Sequence, residues 1–162
     1  IGLSGYPNGR IVLLKYYSHD GFVFFTNYNS NKAASIDQNN KVSVSFFWEE
    51  SERQVIIKGV ATRTSDDFST KYFNSRPKGS KLGALVSENQ SSIIKSKDYI
   101  VKKFNELSKE YLNKEISRPN NWGGYVIKPI QYEFWQGGEN RLHDRIRYSL
   151  NKNIWQIDRL SP

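Results

Sequence analysis

The 162-residue sequence has no cysteine, no methionine and only two histidines, His19 and His143. The lack of cysteine excludes disulfides, thiolate metal sites and cysteine nucleophiles, and it fits a reducing compartment such as the cytoplasm. With two histidines, a zinc site would depend on carboxylates scattered along the chain. Because Ile1 is not a translation start, we expect the natural protein to continue upstream, with that N-terminal segment absent here.

Long apolar runs are also missing, so the sequence predicts neither a membrane span nor a signal peptide, and no membrane partner. The content of 37% hydrophobic and 14% aromatic residues suits one globular domain, which we place over residues 1–162. The 24 Lys and Arg against 16 Asp and Glu give a formal charge of +8. This excess predicts an anionic partner, which could be nucleic acid, an acidic surface or a phosphorylated small molecule.

Apolar patterning and turn residues predict a strand-rich chain. The predicted strands are 11–17, 22–27, 42–48, 54–62, 125–127, 132–136, 145–150 and 154–157. The predicted helices are 32–40, 66–74, a short one from Ser80 and a long one capped by Ser96, with Ile100, Phe104, Leu107 and Tyr111 on its apolar face. Short connections favour antiparallel pairing, so the predicted fold class is α+β: a closed or partly closed barrel with helices packed outside.

Lys15 shares strand parity with Ile11 and Leu13, which would place its charge on an otherwise apolar face. Either the lysine extends its ammonium to solvent at the strand end, or it binds a phosphate at the rim of the barrel.

Two further clusters have the residue types that bind anions. Tyr72, Arg76 and Ser80 follow at intervals of four, so they either gather around one phosphate or form an ordinary amphipathic helix end next to Pro77. The run 141–145 packs two arginines, a histidine and an aspartate behind a glycine pair. If extended, it would present Arg141, His143 and Arg145 on one face toward an anion, with His143 available for proton transfer. The alternative is a charged turn before a strand.

Several motifs in order resemble the pyridoxine (pyridoxamine) 5'-phosphate oxidases over nearly the whole chain. The main ones are Arg10-Ile11-Val12-Leu13-Leu14-Lys15, Glu133-Phe134-Trp135-Gln136-Gly137, Arg141-Leu142-His143-Asp144-Arg145 and the closing Asp158-Arg159-Leu160-Ser161-Pro162. Between them lie Arg53-Gln54-Val55, Tyr72-Phe73-Asn74-Ser75-Arg76-Pro77, Gln90-Ser91-Ser92 and Trp122-Gly123-Gly124-Tyr125.

The resemblance implies an FMN-binding split β-barrel homodimer with the cofactor at the subunit interface. The implied FMN contacts are Arg10, Ile11, Val12, Leu13, Leu14, Lys15, Phe25, Thr26, Lys32, Gln54, Gln90, Ser91, Trp135 and Arg145. The implied substrate contacts are Lys15, Tyr72, Arg76, Ser80, Arg141 and His143. Of these, the first four would hold the substrate phosphate, while Arg141 and His143 would line the reacting side as the catalytic pair.

The implied activity is oxidation of pyridoxine or pyridoxamine 5'-phosphate to pyridoxal 5'-phosphate, with O2 as acceptor and release of H2O2. Asn31 stands where the family commonly has an arginine, Phe25 stands where a tyrosine is common, and the segment 87–89 is one residue longer than usual. The alternatives are a related flavin oxidase of another ring, as in the phenazine pathway, and a nucleic-acid-binding barrel. Retention of the phosphate set argues against the phenazine alternative.

Overall fold

The computed structural model describes residues 5–162 as seven strands, four helices and one 3₁₀ turn. The strands are β1 Tyr16–Ser18, β2 Gly21–Asn27, β3 Lys41–Trp48, β4 Arg53–Arg63, β5 Trp122–Gln136, β6 Asp144–Asn151 and β7 Ile154–Leu160. The helices are α1 Asn31–Gln38, α2 Asp66–Ser75, α3 Lys78–Val86 and α4 Lys97–Glu110, and the 3₁₀ turn is Glu139–Arg141. No helix in this part of the chain is long and apolar enough to cross a membrane.

All strands join one antiparallel sheet that is organised around the 15-residue strand β5. One edge of β5 pairs with β4 over residues 125–136. Its other edge pairs first with β2, over residues 122–127, and then with β6, over residues 131–136. The sheet therefore splits on this side of β5, and the predicted strand-rich α+β class is confirmed.

The helix starts follow local capping signals. The hydroxyls of Ser30, Ser65 and Ser96 each accept a backbone N–H from the first turn of α1, α2 and α4. Such caps satisfy donors that a helix start leaves without an intrahelical partner. Helix α3 begins at Lys78, directly after its N-cap Pro77, rather than at Ser80 as predicted. Proline disfavours a helical conformation in the residue before it but does not prevent a helix from starting directly after it.

The first predicted strand is too long. Only residues 16–18 form β1, extended by one backbone bond from Lys15 N–H to Val23 O (2.8 Å). Ile11 is 99% exposed and Leu13 is 66% exposed, and Lys15 is also exposed, so the expected apolar face is not buried within this chain. The residue pattern at 11–15 suits a strand, but within residues 5–162 no other strand lies beside it to complete the pairing.

The predicted strands 125–127 and 132–136 are parts of a single strand, β5. Pro129, which lacks an N–H, lies within it opposite Gly59, where the β4–β5 register shifts. It also lies where the other edge of β5 changes partner from β2 to β6, so neither strand needs the missing donor. A continuous strand is possible because the proline coincides with the irregularity.

Two buried clusters stabilise the layers. One lies between the sheet and α1, and the other lies between α2, α3 and the start of β5. Phe104, Leu107 and Tyr111 of the α4 region pack against the second cluster, as their spacing predicts. This second cluster includes Trp122, which also borders the candidate active site.

Candidate active site

The first group of site residues surrounds the start of α1. Lys32 Nζ donates to Thr26 Oγ1 (2.6 Å) and to Ser30 Oγ (3.3 Å). Thr26 is buried at the end of β2, and Lys32 is in the first turn of the helix that follows. The strand end, the cap and the helix start thus bring together three kinds of donor: an ammonium, hydroxyl groups and backbone N–H groups. This combination suits the binding of a phosphate.

Gln90 and Ser91 reach this group from a distant loop. Thr26 Oγ1 donates to Gln90 Oε1 (3.5 Å), and Ser91 Oγ accepts the backbone N–H of Asn31 (3.3 Å). The loop is anchored at the carbonyl of Glu88, which accepts hydrogen bonds from the side chains of Asn27, Asn29 and Asn121. The segment expected to be one residue longer than usual is therefore firmly attached beside Thr26.

The charges at this group are not balanced by carboxylates. Burial lowers the pKa of Lys32, and the positive charge of nearby Arg10 lowers that pKa further. In the described chain neither cation has a carboxylate within ion-pair distance. Two cations held together at a cost in repulsion fit an anionic ligand, and this donor set fits the phosphate of FMN. Asn31 stands where the family commonly has an arginine, so this position adds no charge; its backbone N–H donates to Ser91 Oγ.

The second group is an aromatic stack that supports Arg76. The ring of Phe25 lies 4.0 Å from that of Tyr72 and 5.4 Å from that of Trp122, with interplanar angles of 21° and 9°. The Arg76 guanidinium lies 4.6 Å from the centre of the Trp122 ring. Phe25, where a tyrosine was expected, thus contributes an apolar ring to this stack.

Arg76 has an unused donor. Its Nη1 is buried and has no hydrogen-bond partner within residues 5–162. Burial lowers the pKa of the guanidinium, and Tyr72 opposes that shift. A cation that is partly desolvated and unpaired is costly to keep, which is a common property of ligand-binding positions. Tyr72 lies near enough to influence the Arg76 guanidinium, whereas no hydrogen bond in the described chain links the side chains of Lys15 or Ser80 to these two residues.

The third group lies at the far end of β5. Trp135 pairs in register with Gln54 of β4 on one side and with Arg145 of β6 on the other. The His143 ring lies 4.8 Å from the ring of Trp135. Arg145 donates twice to Glu133 Oε1, at 2.9 and 2.7 Å, and also to the Ser161 carbonyl.

The prediction of one extended stretch over 141–145 is wrong at its start. Arg141 ends the 3₁₀ turn with a φ of 63°, so it does not alternate with His143 and Arg145 along a strand. The glycine pair and the 3₁₀ turn reverse the chain between β5 and β6, and β6 begins only at Asp144. Arg141 is exposed at this turn.

The second and third groups are too far apart to bind one small ligand within one chain. Trp122 and Trp135 are 13 residues apart on β5, which is roughly 40 Å along an extended strand. Tyr72 and Arg76 lie at the Trp122 end, and His143 lies at the Trp135 end. A substrate that touches both groups must therefore bind between two copies of the chain.

Two known protein-family models match most of the chain. Residues 1–110 match the family model described as pyridoxamine 5'-phosphate oxidase, and residues 122–162 match its counterpart described as the pyridoxine 5'-phosphate oxidase C-terminal dimerisation region. The chain belongs to the pyridoxamine 5'-phosphate oxidase family. A pyridoxine/pyridoxamine 5'-phosphate oxidase of Flavobacterium johnsoniae is 55% identical over 162 residues, covering 99% of this chain and 75% of that protein. An oxidase of the same name, numbered 2, from Hydrogenovibrio crunogenus is 53% identical over 156 residues, covering 96% and 73%.

Solved structures show the same fold at low identity. PhzG from Burkholderia lata, solved with tetrahydrophenazine-1-carboxylic acid, superposes with a TM-score of 0.90 at 23% identity, covering all of this chain and 79% of its own. A pyridoxamine 5'-phosphate oxidase-related, FMN-binding protein from Nostoc punctiforme gives 0.77 at 16% identity, covering 100% and 84%. The fold is therefore the FMN-binding split β-barrel with helices packed outside.

Sequence reasoning missed three supporting residues. Trp122 supports Arg76, Glu133 pairs with Arg145, and the backbone N–H of Gly138 donates to His143 Nδ1 (3.2 Å). Glu133 and Trp135 lie on the same face of β5. On β6, Arg147 lies directly opposite Glu133 and Arg145 lies opposite Trp135, so Arg145 is the diagonal neighbour of Glu133. That signal becomes readable only when the register is known.

Proposed function

We propose that this chain is an FMN-dependent oxidase that converts pyridoxine or pyridoxamine 5'-phosphate to pyridoxal 5'-phosphate, using O2 and releasing H2O2. The observation that carries the proposal is the half-buried guanidinium of Arg76, which lies on Trp122 with one donor unpaired. A phosphate on the substrate would supply the missing acceptor and the missing negative charge. Bound FMN would supply the two-electron acceptor that O2 can reoxidise.

The cofactor phosphate would bind at the start of α1, through Arg10, Lys32, Thr26, Gln90 and Ser91. These side chains come from four separate segments. Hydrogen bonds link Thr26 to Gln90 and to Lys32, and the Asn31 N–H binds Ser91, so these four side chains are held in place before a ligand arrives. Such preorganisation reduces the ordering needed on binding. The remaining proposed cofactor contacts are the segment 11–15, Phe25, Gln54, Trp135 and Arg145.

The substrate phosphate would bind to Tyr72 and Arg76, with Lys15 and Ser80 added from nearby segments. Arg141 and His143 of the partner copy would orient the ring from the other side, because they lie at the opposite end of β5. The protein is a homodimer, in keeping with the dimerisation region matched by residues 122–162. Apolar side chains on β5–β7 form an open groove, lined by Tyr132, Phe134, Ile146, Tyr148 and Trp155, that a second subunit could cover.

We also propose that residues 1–162 form one domain, because β5 pairs with strands from both regions matched by the two family models. A cytoplasmic location is proposed from the absence of cysteine. The phosphates of cofactor and substrate account for the basic charge without a nucleic-acid partner.

An absorption spectrum followed by turnover tests the proposal. FMN-reconstituted protein should be yellow, and it should consume O2 and form H2O2 with pyridoxine 5'-phosphate. Unphosphorylated pyridoxine serves as the matched control, since it lacks the group that Arg76 would bind. Absence of flavin after reconstitution, or equal kcat/KM for the two substrates, would contradict the proposal. The Burkholderia lata homologue makes a reduced phenazine carboxylic acid the alternative substrate to include.

A further inference from the structure

The loop that joins β5 to β6 is closed by two hydrogen bonds. Leu142 N–H donates to Glu139 O (3.0 Å), which completes the 3₁₀ turn. Gly138 N–H donates to Nδ1 of the His143 side chain (3.2 Å). The second bond ties the imidazole to the backbone at the opposite side of its own loop.

The backbone of this loop leaves little freedom. Asn140 and Arg141 both have left-handed φ values, 53° and 63°, which non-glycine residues rarely adopt in succession. A Cβ at Gly138 would lie 2.4 Å from the Leu142 carbonyl oxygen, so no larger residue fits without moving the loop. The N–H of Gly138 is thus held close to the imidazole by the path of the chain.

An imidazole nitrogen that accepts an N–H must carry a lone pair and no proton. The neutral ring then carries its proton on the other nitrogen, Nε2. The Trp135 ring, 4.8 Å away at an interplanar angle of 45°, packs against the imidazole and restricts a ring flip that would exchange the two nitrogens. No described residue accepts a hydrogen bond from Nε2, which leaves that N–H available to a ligand.

We propose that Gly138 is a positioning residue that fixes His143 as the Nε2–H tautomer, so that His143 acts on the substrate as a hydrogen-bond donor and not as the base. This inference rests on the proposed function for its consequence. Donation from Nε2–H would orient the oxygen or nitrogen on the reacting carbon of the substrate. The proton that leaves the hydroxyl or amine is then not taken by His143.

Nitrogen NMR tests the tautomer without any turnover. The FMN-loaded protein is labelled with 15N-histidine and studied without substrate at pH 9, where imidazoles are neutral. The variant His19→Gln removes the other histidine, which is exposed before β2, and leaves only the signals of His143. We expect one protonated nitrogen, assigned as Nε2 by its couplings to the ring protons. A proton on Nδ1, or an equal mixture of tautomers, would overturn the proposal.

The variant Gly138→Ala tests the cause. Its Cβ would displace the loop, so the Nε2–H preference of His143 should decrease toward a mixture. An unchanged preference in a folded, FMN-loaded Gly138→Ala protein would remove Gly138 from the role. If that variant does not fold, the tautomer measured in the parent protein and the replacements of His143 decide whether His143 is a donor.

Two replacements of His143 distinguish a donor from a base. Glutamine places an amide N–H near the position of Nε2, whereas asparagine reaches only the position of Nδ1. In single-turnover anaerobic reduction we expect His143→Gln to retain at least about a third of the parent rate and His143→Asn to lose at least about tenfold. His19→Gln should match the parent. A glutamine variant as slow as His143→Ala would overturn the donor role, whereas a parent protein that does not oxidise the substrate would contradict only the proposed function.

Discussion

Combining two weakly active variants in one dimer should restore an active site if each site takes Arg76 from one subunit and Arg141 from the other. The two residues lie near opposite ends of β5: Arg76 contacts Trp122, and Arg141 lies in the loop beyond Trp135. At about 3.3 Å per residue the intervening strand spans roughly 40 Å, far more than a pyridoxine phosphate can bridge. If both residues bind one substrate, they must therefore come from different copies.

The magnitude follows from counting sites. In a heterodimer of an Arg76→Ala chain with an Arg141→Ala chain, one site carries both substitutions and the other carries neither. The heterodimer should therefore show about half the turnover of the parent dimer. Each variant homodimer has two defective sites. At substrate concentrations below the parent KM, we expect about tenfold to a hundredfold less activity from each homodimer.

The assay uses co-expressed chains with different affinity tags, purified in sequence to isolate heterodimers. The matched control pairs a parent chain with a chain carrying both substitutions, which leaves one substitution in each shared site and should be nearly inactive. If both residues of a site came from one chain, the results would reverse: the first heterodimer would be inactive and the control would be half active. That reversal would refute the shared-site reasoning.

Three further predictions concern single residues. Arg76→Ala should raise KM for the phosphorylated substrate by about tenfold to a hundredfold with kcat largely retained, because a charge-assisted contact of about 1.5 to 3 kcal/mol is lost equally in ground and transition states. Lys71→Ala, on the exposed part of α2, is the control and should leave KM unchanged. An unchanged KM in Arg76→Ala would exclude Arg76 from binding the phosphate. Burial lowers the pKa of Lys32, so as pH rises its ammonium should lose the proton before an ordinary lysine would. FMN binding, measured by fluorescence, should therefore weaken as pH rises toward the ordinary lysine range. The Lys32→Met variant should bind FMN more weakly and lose that pH dependence. If the variant kept the parent pH profile, the pH dependence would belong to another group. Arg141→Lys should keep FMN but slow anaerobic flavin reduction at least about tenfold, or about 1.4 kcal/mol in the barrier, because lysine lacks the planar guanidinium. A parent-like rate would remove Arg141 from the mechanism, and loss of FMN would move it to the cofactor contacts.

Local signals in the sequence were enough to predict most element positions. The serine caps at Ser30, Ser65 and Ser96 mark helix starts, and β3 and β4 lie within one residue of the predicted strands at both ends. The main errors in the predicted strands are at 11–15 and around Pro129, where the outcome depends on whether a neighbouring strand is present. Pairing partners are a tertiary property, so residue patterns alone could not decide these two positions.

The contacts of the candidate site likewise divide into those that local sequence predicts and those that depend on the tertiary fold. Thr26 and Lys32 are close in sequence, so a strand followed by a capped helix predicts their contact. Gln90 lies 64 residues from Thr26, and only the family resemblance linked them before the structure was known. The link between Gly138 and His143 could not be predicted, because it depends on two successive left-handed residues that no sequence pattern indicates here.

The charge balance of the nine arginines separates structural cations from ligand-binding ones. Five of them form ion pairs with carboxylates: Arg63, Arg118, Arg145, Arg147 and Arg159. Among the described residues, four arginines have no such partner. Arg53 donates to the neutral Gln136 side chain (2.7 Å), and the other three, Arg10, Arg76 and Arg141, are those that the family resemblance assigns to phosphate or substrate. Arg145 is assigned to FMN yet is already neutralised by Glu133. Its planar guanidinium is held in a fixed orientation by that pair and by the Ser161 carbonyl, so we expect its contribution to cofactor binding to come from directed hydrogen bonding more than from net charge.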